Sequence, residues 1–257
     1  MSTSATEMFR DMAAAIYAHG YVRKSADASS PNTKATLEAA PGSTFVLGPD
    51  PYNNLVKCKD VDLKWAVANV LQFFAATEDA GWLRKYNKHA DRFLTGDQWI
   101  GAYGAIVMPQ LKRCIDRLTA SPDSRRAYVD MGPLGEEDLN RPACWNILHF
   151  LVQHNRLHMQ VYQRSLNLFG VMPYDCIVLT NIQIYMARRL GKLAGCLTWT
   201  IGSLHCLDTD MLSLHDSTSY PSSLVLGCSI LSDPVDCKRI LQHPNDYSAG
   251  HLLYLRD

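Results

Sequence analysis

Residues 145–165 constrain the fold most. Stretches 145–152 and 158–165 alternate or run apolar, and the hydrophilic tip Gln153-His154-Asn155-Arg156 stands between them. Apolar runs of that length, parted by a short polar tip, read as two adjacent strands of a β-hairpin. The next stretch, 176–190 (CIVLTNIQIYMARRL), predicts a helix with basic residues in its last turn and Gly191 as its stop. A strand over 194–204 (AGCLTWTIGSL) follows. Two strands, a helix and a further strand select an α+β fold, a mixed β-sheet packed with helices.

The rest of the chain fits that class. Helical spacing predicts helices over 5–18 (Met8, Met12, Ala15 and Ile16 on one face), over 61–76 (Leu63, Ala66, Val67, Val70, Leu71, Phe74) and over 106–119. Thr36 to Leu47 predicts a strand or hairpin, and 127–131 a strand. Residues 24–34, 48–54 and 132–141 read as turns and loops, and the tail from Asp216 as turns and short strands. With no repeat, low-complexity stretch or linker, 1–257 reads as a single domain, its segment 1–33 partly flexible.

Composition excludes several function classes. The formal net charge is zero, so nothing global points to nucleic acid or a membrane surface as partner. A small anionic substrate would need only a local cluster of Arg and Lys. No apolar run approaches the ~20 residues that span a bilayer, and Met1 to Arg10 lacks the apolar core of a secretory signal. The eight cysteines (58, 114, 144, 176, 196, 206, 228 and 237) show neither C-x-x-C spacing nor a zinc pattern, so no metal is expected. Buried, reduced thiols in a cytoplasmic protein are the ordinary reading of such a set.

One constellation stands above that background. It comprises Asp123-Ser124-Arg125-Arg126, Ala143-Cys144, Tyr162-Gln163-Arg164-Ser165, Pro173-Tyr174-Asp175, and Trp199 followed by Gly202-Ser203-Leu204-His205. Taken singly, an Arg pair is a solvated face, a cysteine before a strand is core, and a strand-end histidine is structural. In this order and at these separations they resemble the thymidylate synthase superfamily, which includes the deoxycytidylate and cytidylate hydroxymethylases. No gap is needed from Cys144 through Arg164 and Asp175 to His205. The resemblance is specific over roughly 100–207.

The resemblance implies a thymidylate synthase-like fold, with sheets back to back in a homodimer, and a pyrimidine nucleotide as substrate. It implies that Cys144 adds to C6 of the base, which turns C5 into a carbon nucleophile. The attacking group is a thiolate, so a lowered Cys144 pKa is expected, with Arg164 and the phosphate-site arginines as its cause. Arg164 and Ser165 would hold the phosphate from the same subunit, Arg125 and Arg126 from the partner, with Lys34 as a further cation. Gln163 and Asp175 would meet the base, His205 the ribose, and Tyr103 would lie by the nucleophile. Methylenetetrahydrofolate would be the one-carbon donor.

Departures from thymidylate synthase refine this. The synthases carry Asn where this chain has Asp175; the cytidylate-directed hydroxymethylases carry Asp. An amide can donate and accept toward uracil N3–H and O4. A carboxyl group can accept from the cytosine amino group and, when protonated, donate to its bare N3. The other reading of Asp175 is a turn or helix N-cap residue. Ser203, Asn146 and Lys34 with Glu38 also resemble the hydroxymethylase pattern. On the water and folate side, Asn69 and Asn167 stand where the family has acids, and Leu207 replaces the Tyr that shares the ribose hydroxyl with the His. His251 to Asp257 does not match the family's folate cap. Three outcomes follow: 5-hydroxymethylation of CMP or dCMP, thymidylate-type methylation of dUMP, or a nucleotide site with folate-independent chemistry or none.

Overall fold

A computed structural model describes residues 1–23, 35–50, 53–56, 61–79, 81–84, 94–95, 98–99, 101–132, 143–210, 213–214, 227–229 and 254–256. Lys34, the loops expected over 24–34 and 132–141 (all but its first residue), and most of the tail from Asp216 lie outside them.

The expected hairpin forms. β7 (Trp145–Gln153) and β8 (Arg156–Asn167) are antiparallel, and Gln153 faces Arg156. His154 and Asn155 close the turn with φ of 49° and 60°. Two consecutive positive φ values match the right-handed twist of the flanking strands, and Asn tolerates that conformation. β9 (Leu193–Leu207) then returns parallel to β8 after the helix α5 (Met172–Arg189). A parallel return requires such a crossover, so the helix follows from the pairing.

β9 is the spine of the sheet. β2 (Thr36–Glu38) and β3 (Ser43–Leu47) pair with different halves of it, both antiparallel. The segment 36–47 is thus two strands on one long neighbour, not a hairpin. β1 (Tyr21–Arg23) extends the sheet beyond β2, and β6 (Tyr128–Asp130) extends it beyond β7. The order is β1-β2-β9-β8-β7-β6, with β3 beside β9, seven strands in all. The short pairs β4 (Leu94–Thr95) with β5 (Gln98–Trp99), and β10 (Gly227–Ser229) with β11 (Tyr254–Arg256), stand apart from it.

The helices cover one face. α1 (Ala5–His19) starts at Ser4, whose side chain accepts from Glu7 N, and stops at Gly20 with φ 62°. Both are ordinary end signals. α2 (Leu63–Ala75) is capped by Asp62. α3 (Gly81–Arg84) is one turn, and α4 (Tyr103–Ala120) begins earlier than the apolar spacing predicts. α5 is buried nearly all round, including Thr180, Asn181 and Gln183. A helix wrapped by protein on every side shows no stripe, which is why its start at Met172 escapes the periodicity. On the opposite face of the sheet Tyr128, Ile147 and Tyr162 stand exposed. Among the described residues no helix is long and apolar enough to cross a membrane, and no three metal-ligating side chains converge.

Candidate active site

A bulge builds the site. In β7, Leu148 and Phe150 point into the core while Ile147 points out, so an unbroken strand would turn Trp145 outward as well. Instead the register shifts between Trp145 and Ile147, with Asn146 the extra residue, and Trp145 is 2 % exposed. One added residue re-aims what precedes it. Asn146 is held there because its Oδ1 accepts from Arg164 N at 3.1 Å.

The bulge brings Cys144 onto Arg164. Arg164 N donates to the Cys144 carbonyl at 2.9 Å and its Nε to the Ala143 carbonyl at 3.0 Å. These bonds pin the guanidinium, leaving Nη2 3.9 Å from Cys144 Sγ. From the start of α4, Tyr103 Oη accepts from Cys144 N at 3.0 Å. The Tyr103 phenol is pushed above its ordinary range by burial, so it keeps its proton. That proton can serve as a hydrogen bond to sulfur.

The expectation of a lowered Cys144 pKa is corrected. Burial pushes the thiol above its ordinary value. Arg164 and the Tyr103 hydroxyl pull it down, while the Asp175 charge pushes it further up. In this single chain the cysteine rests as a thiol, because desolvation outweighs one guanidinium. Burial pushes the core thiols Cys176, Cys114 and Cys206 up to about 12, 11 and 11, and among these Arg113 and Arg117 pull only Cys114 back.

Asp175 lies in the first turn of α5 and is not its cap; Val171 holds that position. Asp175 Oδ2 accepts from Trp145 Nε1 at 3.1 Å and from Gln163 Nε2 at 3.1 Å. Gln163 Nε2 also donates to the Ser165 carbonyl at 3.0 Å, and its Oε1 accepts from Trp199 Nε1 at 3.1 Å. Burial drives the Asp175 carboxyl up to about 6 against the pull of the two N–H donors. Sequence reasoning placed Trp199 in the constellation but gave neither tryptophan a role in the site. Their only signal was the presence of two N–H-bearing aromatics in strands that hold motif residues.

His205 closes the far end, opposite Asn167 of β8 and Glu38 of β2. Burial lowers its pKa, which favours the neutral ring. A carbonyl only accepts, so the 3.3 Å contact with Ser203 O puts the proton on Nδ1 and leaves Nε2 as an acceptor. Glu38 beside it is held by a two-point pair with Arg23, 2.7 and 3.0 Å.

Arg125 and Arg126 do not join this network. They line a separate groove of about 760 Å³ with Arg113 and Arg117 at the end of α4. The two asparagines expected on the folate and water side bond locally. Asn69 Nδ2 donates to Trp65 O at 2.8 Å in its own helix, and Asn167 Oδ1 accepts from Gly170 N at 2.6 Å. Neither offers a carboxylate, so these two positions do not fit the family's way of holding a reduced folate and its water.

The family model for thymidylate synthase matches residues 7–219. The chain belongs to the thymidylate synthase family. Membership makes it a transferase of one-carbon units to C5 of pyrimidine nucleotides, in a family that typically works as a dimer and with methylenetetrahydrofolate. Within that match, Cys144 just before β7 and Arg164 of β8 stand side by side, with Nη2 3.9 Å from Sγ.

Proposed function

We propose that this protein transfers a one-carbon unit to C5 of a cytosine nucleoside monophosphate, with the 5-hydroxymethyl nucleotide as product. The carrying observation is Asp175, a carboxyl group where thymidylate synthases have an amide, hydrogen-bonded beside the Cys144 strand and pushed by burial up to about 6. In this reading the Cys144 thiolate adds to C6. The C5–C6 electron pair moves into the ring toward N3, and neutral Asp175 supplies the proton that N3 takes up. Arg164, Ser165 and Lys34 hold the phosphate, joined by Arg125 and Arg126 of a second copy, and His205 Nε2 accepts from a sugar hydroxyl. Leu207, where the family's ribose Tyr is missing, fits CMP as well as dCMP. At neutral pH the carboxyl must take up a proton about one unit above its own titration, a roughly tenfold handicap that one buried hydrogen bond offsets.

The deciding experiment is tritium release from [5-³H]-labelled CMP, dCMP and dUMP, each with and without methylenetetrahydrofolate. Release from a cytosine nucleotide that depends on the folate supports hydroxymethylation. Asn69 and Asn167 favour a second reading, in which the nucleotide half is kept and the folate half replaced; it gives the same release with folate present or absent. Faster release from dUMP than from both cytosine nucleotides overturns the cytosine assignment. Asp175→Asn should move the cytosine-to-uracil ratio of kcat/KM more than about tenfold toward uracil, the scale for mismatching a buried hydrogen bond. An unchanged ratio removes Asp175 from base reading.

The same proposal includes a homodimer. The exposed Tyr128, Ile147 and Tyr162 on the uncovered sheet face fit an apolar contact between two copies. Sedimentation at micromolar concentration should give twice the chain mass. Mixing Cys144→Ala with Arg126→Ala should restore activity that neither variant has alone. A monomer, or no restoration, defeats the shared site.

A further inference from the structure

We propose that Trp145 and Trp199 are specificity-determining positioning residues. Their indole N–H groups fix which oxygen of Asp175 meets the base, and so tie the choice between cytosine and uracil to a single proton. This rests on the cytosine reading above and extends it to two residues that touch no substrate.

Each step follows from which groups can only donate and which can only accept. Trp199 Nε1 can only donate, so the Gln163 atom 3.1 Å away must be Oε1. The Ser165 carbonyl can only accept, so the atom 3.0 Å from it must be Nε2. Gln163 is fully buried, so its amide is locked between these partners and turns an N–H on Asp175. Trp145 Nε1 adds a second donor to the same oxygen. Both lone pairs of Oδ2 are then occupied. The carboxyl proton, when present, sits on Oδ1, and among the described residues Oδ1 has no partner.

Asp175 therefore reads the base with one atom, not two. Neutral, it presents an O–H, which suits the bare N3 of cytosine. Ionised, it presents an acceptor, which suits the N3–H of uracil. The 4-amino and 4-oxo groups are then told apart through N3. The titratable groups facing the carboxyl are the thiols of Cys144 and Cys176 and the phenol of Tyr103, all neutral near pH 6. The Arg164 guanidinium is directed to Cys144, with Nη2 3.9 Å from Sγ. Ionised Asp175 also opposes the Cys144 thiolate, so the proton that suits cytosine favours the nucleophile as well.

The sign for the variants is fixed. An N–H donor on a carboxylate favours the ionised form, so removing one favours the acid and raises its midpoint. Trp145→Phe removes one donor directly. Trp199→Phe frees the Gln163 amide and weakens the other. In the whole protein, ¹³C NMR of labelled aspartates, with Asp175→Asn for assignment, should place the Asp175 midpoint near 6. It should rise by about one pH unit in each variant. The ratio of kcat/KM for CMP or dCMP over dUMP should fall as pH rises through that midpoint, and the fall should move up with it in the variants. A midpoint that stays or drops in a variant with a native near-UV spectrum overturns the proposal, as does a base ratio flat from pH 5 to 8. If the Trp199 variant does not fold, Trp145→Phe decides alone. The two failures are separable. No tritium release from a cytosine nucleotide sinks the functional reading, whereas the carboxyl titration needs no substrate and tests the locked polarity by itself.

Discussion

Cys144→Ala should abolish tritium release from C5 of every pyrimidine nucleotide, by more than about 10⁴-fold, while leaving nucleotide binding and the fold intact. Release of the C5 proton requires that C5 first become nucleophilic, and only covalent addition at C6 does that. The loss falls on the chemical step because the neighbours that hold the nucleotide do not depend on sulfur. Arg164 is pinned by the carbonyls of Ala143 and Cys144 and by Asn146, contacts that an alanine keeps. Removing a thiol that is half-buried also leaves only a small void, so the thermal midpoint should move little. Release that persists at a few per cent of the original rate would take Cys144 out of the mechanism. A resting thiol rather than thiolate adds a second expectation. The rate for cytosine nucleotides should climb with pH up to about 6, where Asp175 ionises, and then level off through the neutral range, because each further gain in thiolate is matched by a loss of the neutral acid.

The parts of the site that spacing along one strand determines were legible. The hairpin tip at His154-Asn155 fixes the register of β7 on β8 from Gln153 to Ile147, which brings Cys144 within one residue of Arg164, and the bulge at Asn146 completes the pairing. The parts that depend on depth were not. Spacing shows that a cation is near the Cys144 sulfur, but not that the sulfur is buried, so the expected direction of its pKa came out reversed. Trp145 and Trp199 received no role because a sequence displays their rings and hides where each N–H points. That direction depends on a bulge at Asn146 and on the parallel pairing of β8 with β9, neither of which has a local signature. Segment 36–47 suggested a strand or a hairpin because its two halves are close in sequence. Both halves instead find β9, a strand contributed by the far end of the domain.

Gly104→Ala should be among the most destabilising small substitutions in the chain, at about 3 kcal/mol or more, with the thermal midpoint falling by roughly 6–12 °C. Gly104 is the second residue of α4 and is buried where that helix starts against the end of α2. A Cβ there would overlap the Phe73 carbonyl oxygen and lie 2.7 Å from its carbon. The obstacle is backbone, not the end of a flexible side chain. The Phe73 carbonyl also accepts from Ala76 N at 3.0 Å in the left-handed cap that ends α2, so it cannot turn aside without opening that cap. The two helices must separate, and α4 carries Tyr103 with it. The phenol that accepts from Cys144 N would move by the same few tenths of an ångström or more. Activity should therefore fall further than stability explains, by about 10²-fold at a temperature where the variant is fully folded, since misplacement on that scale near a reacting atom is costly. Tyr103→Phe removes the hydroxyl without moving the helix, and should keep the melting temperature within a few degrees while lowering the rate. Were Gly104→Ala to melt within about 2 °C of the original protein, the close approach of α2 and α4 would be wrong, and so would the placement of Tyr103 on the nucleophile.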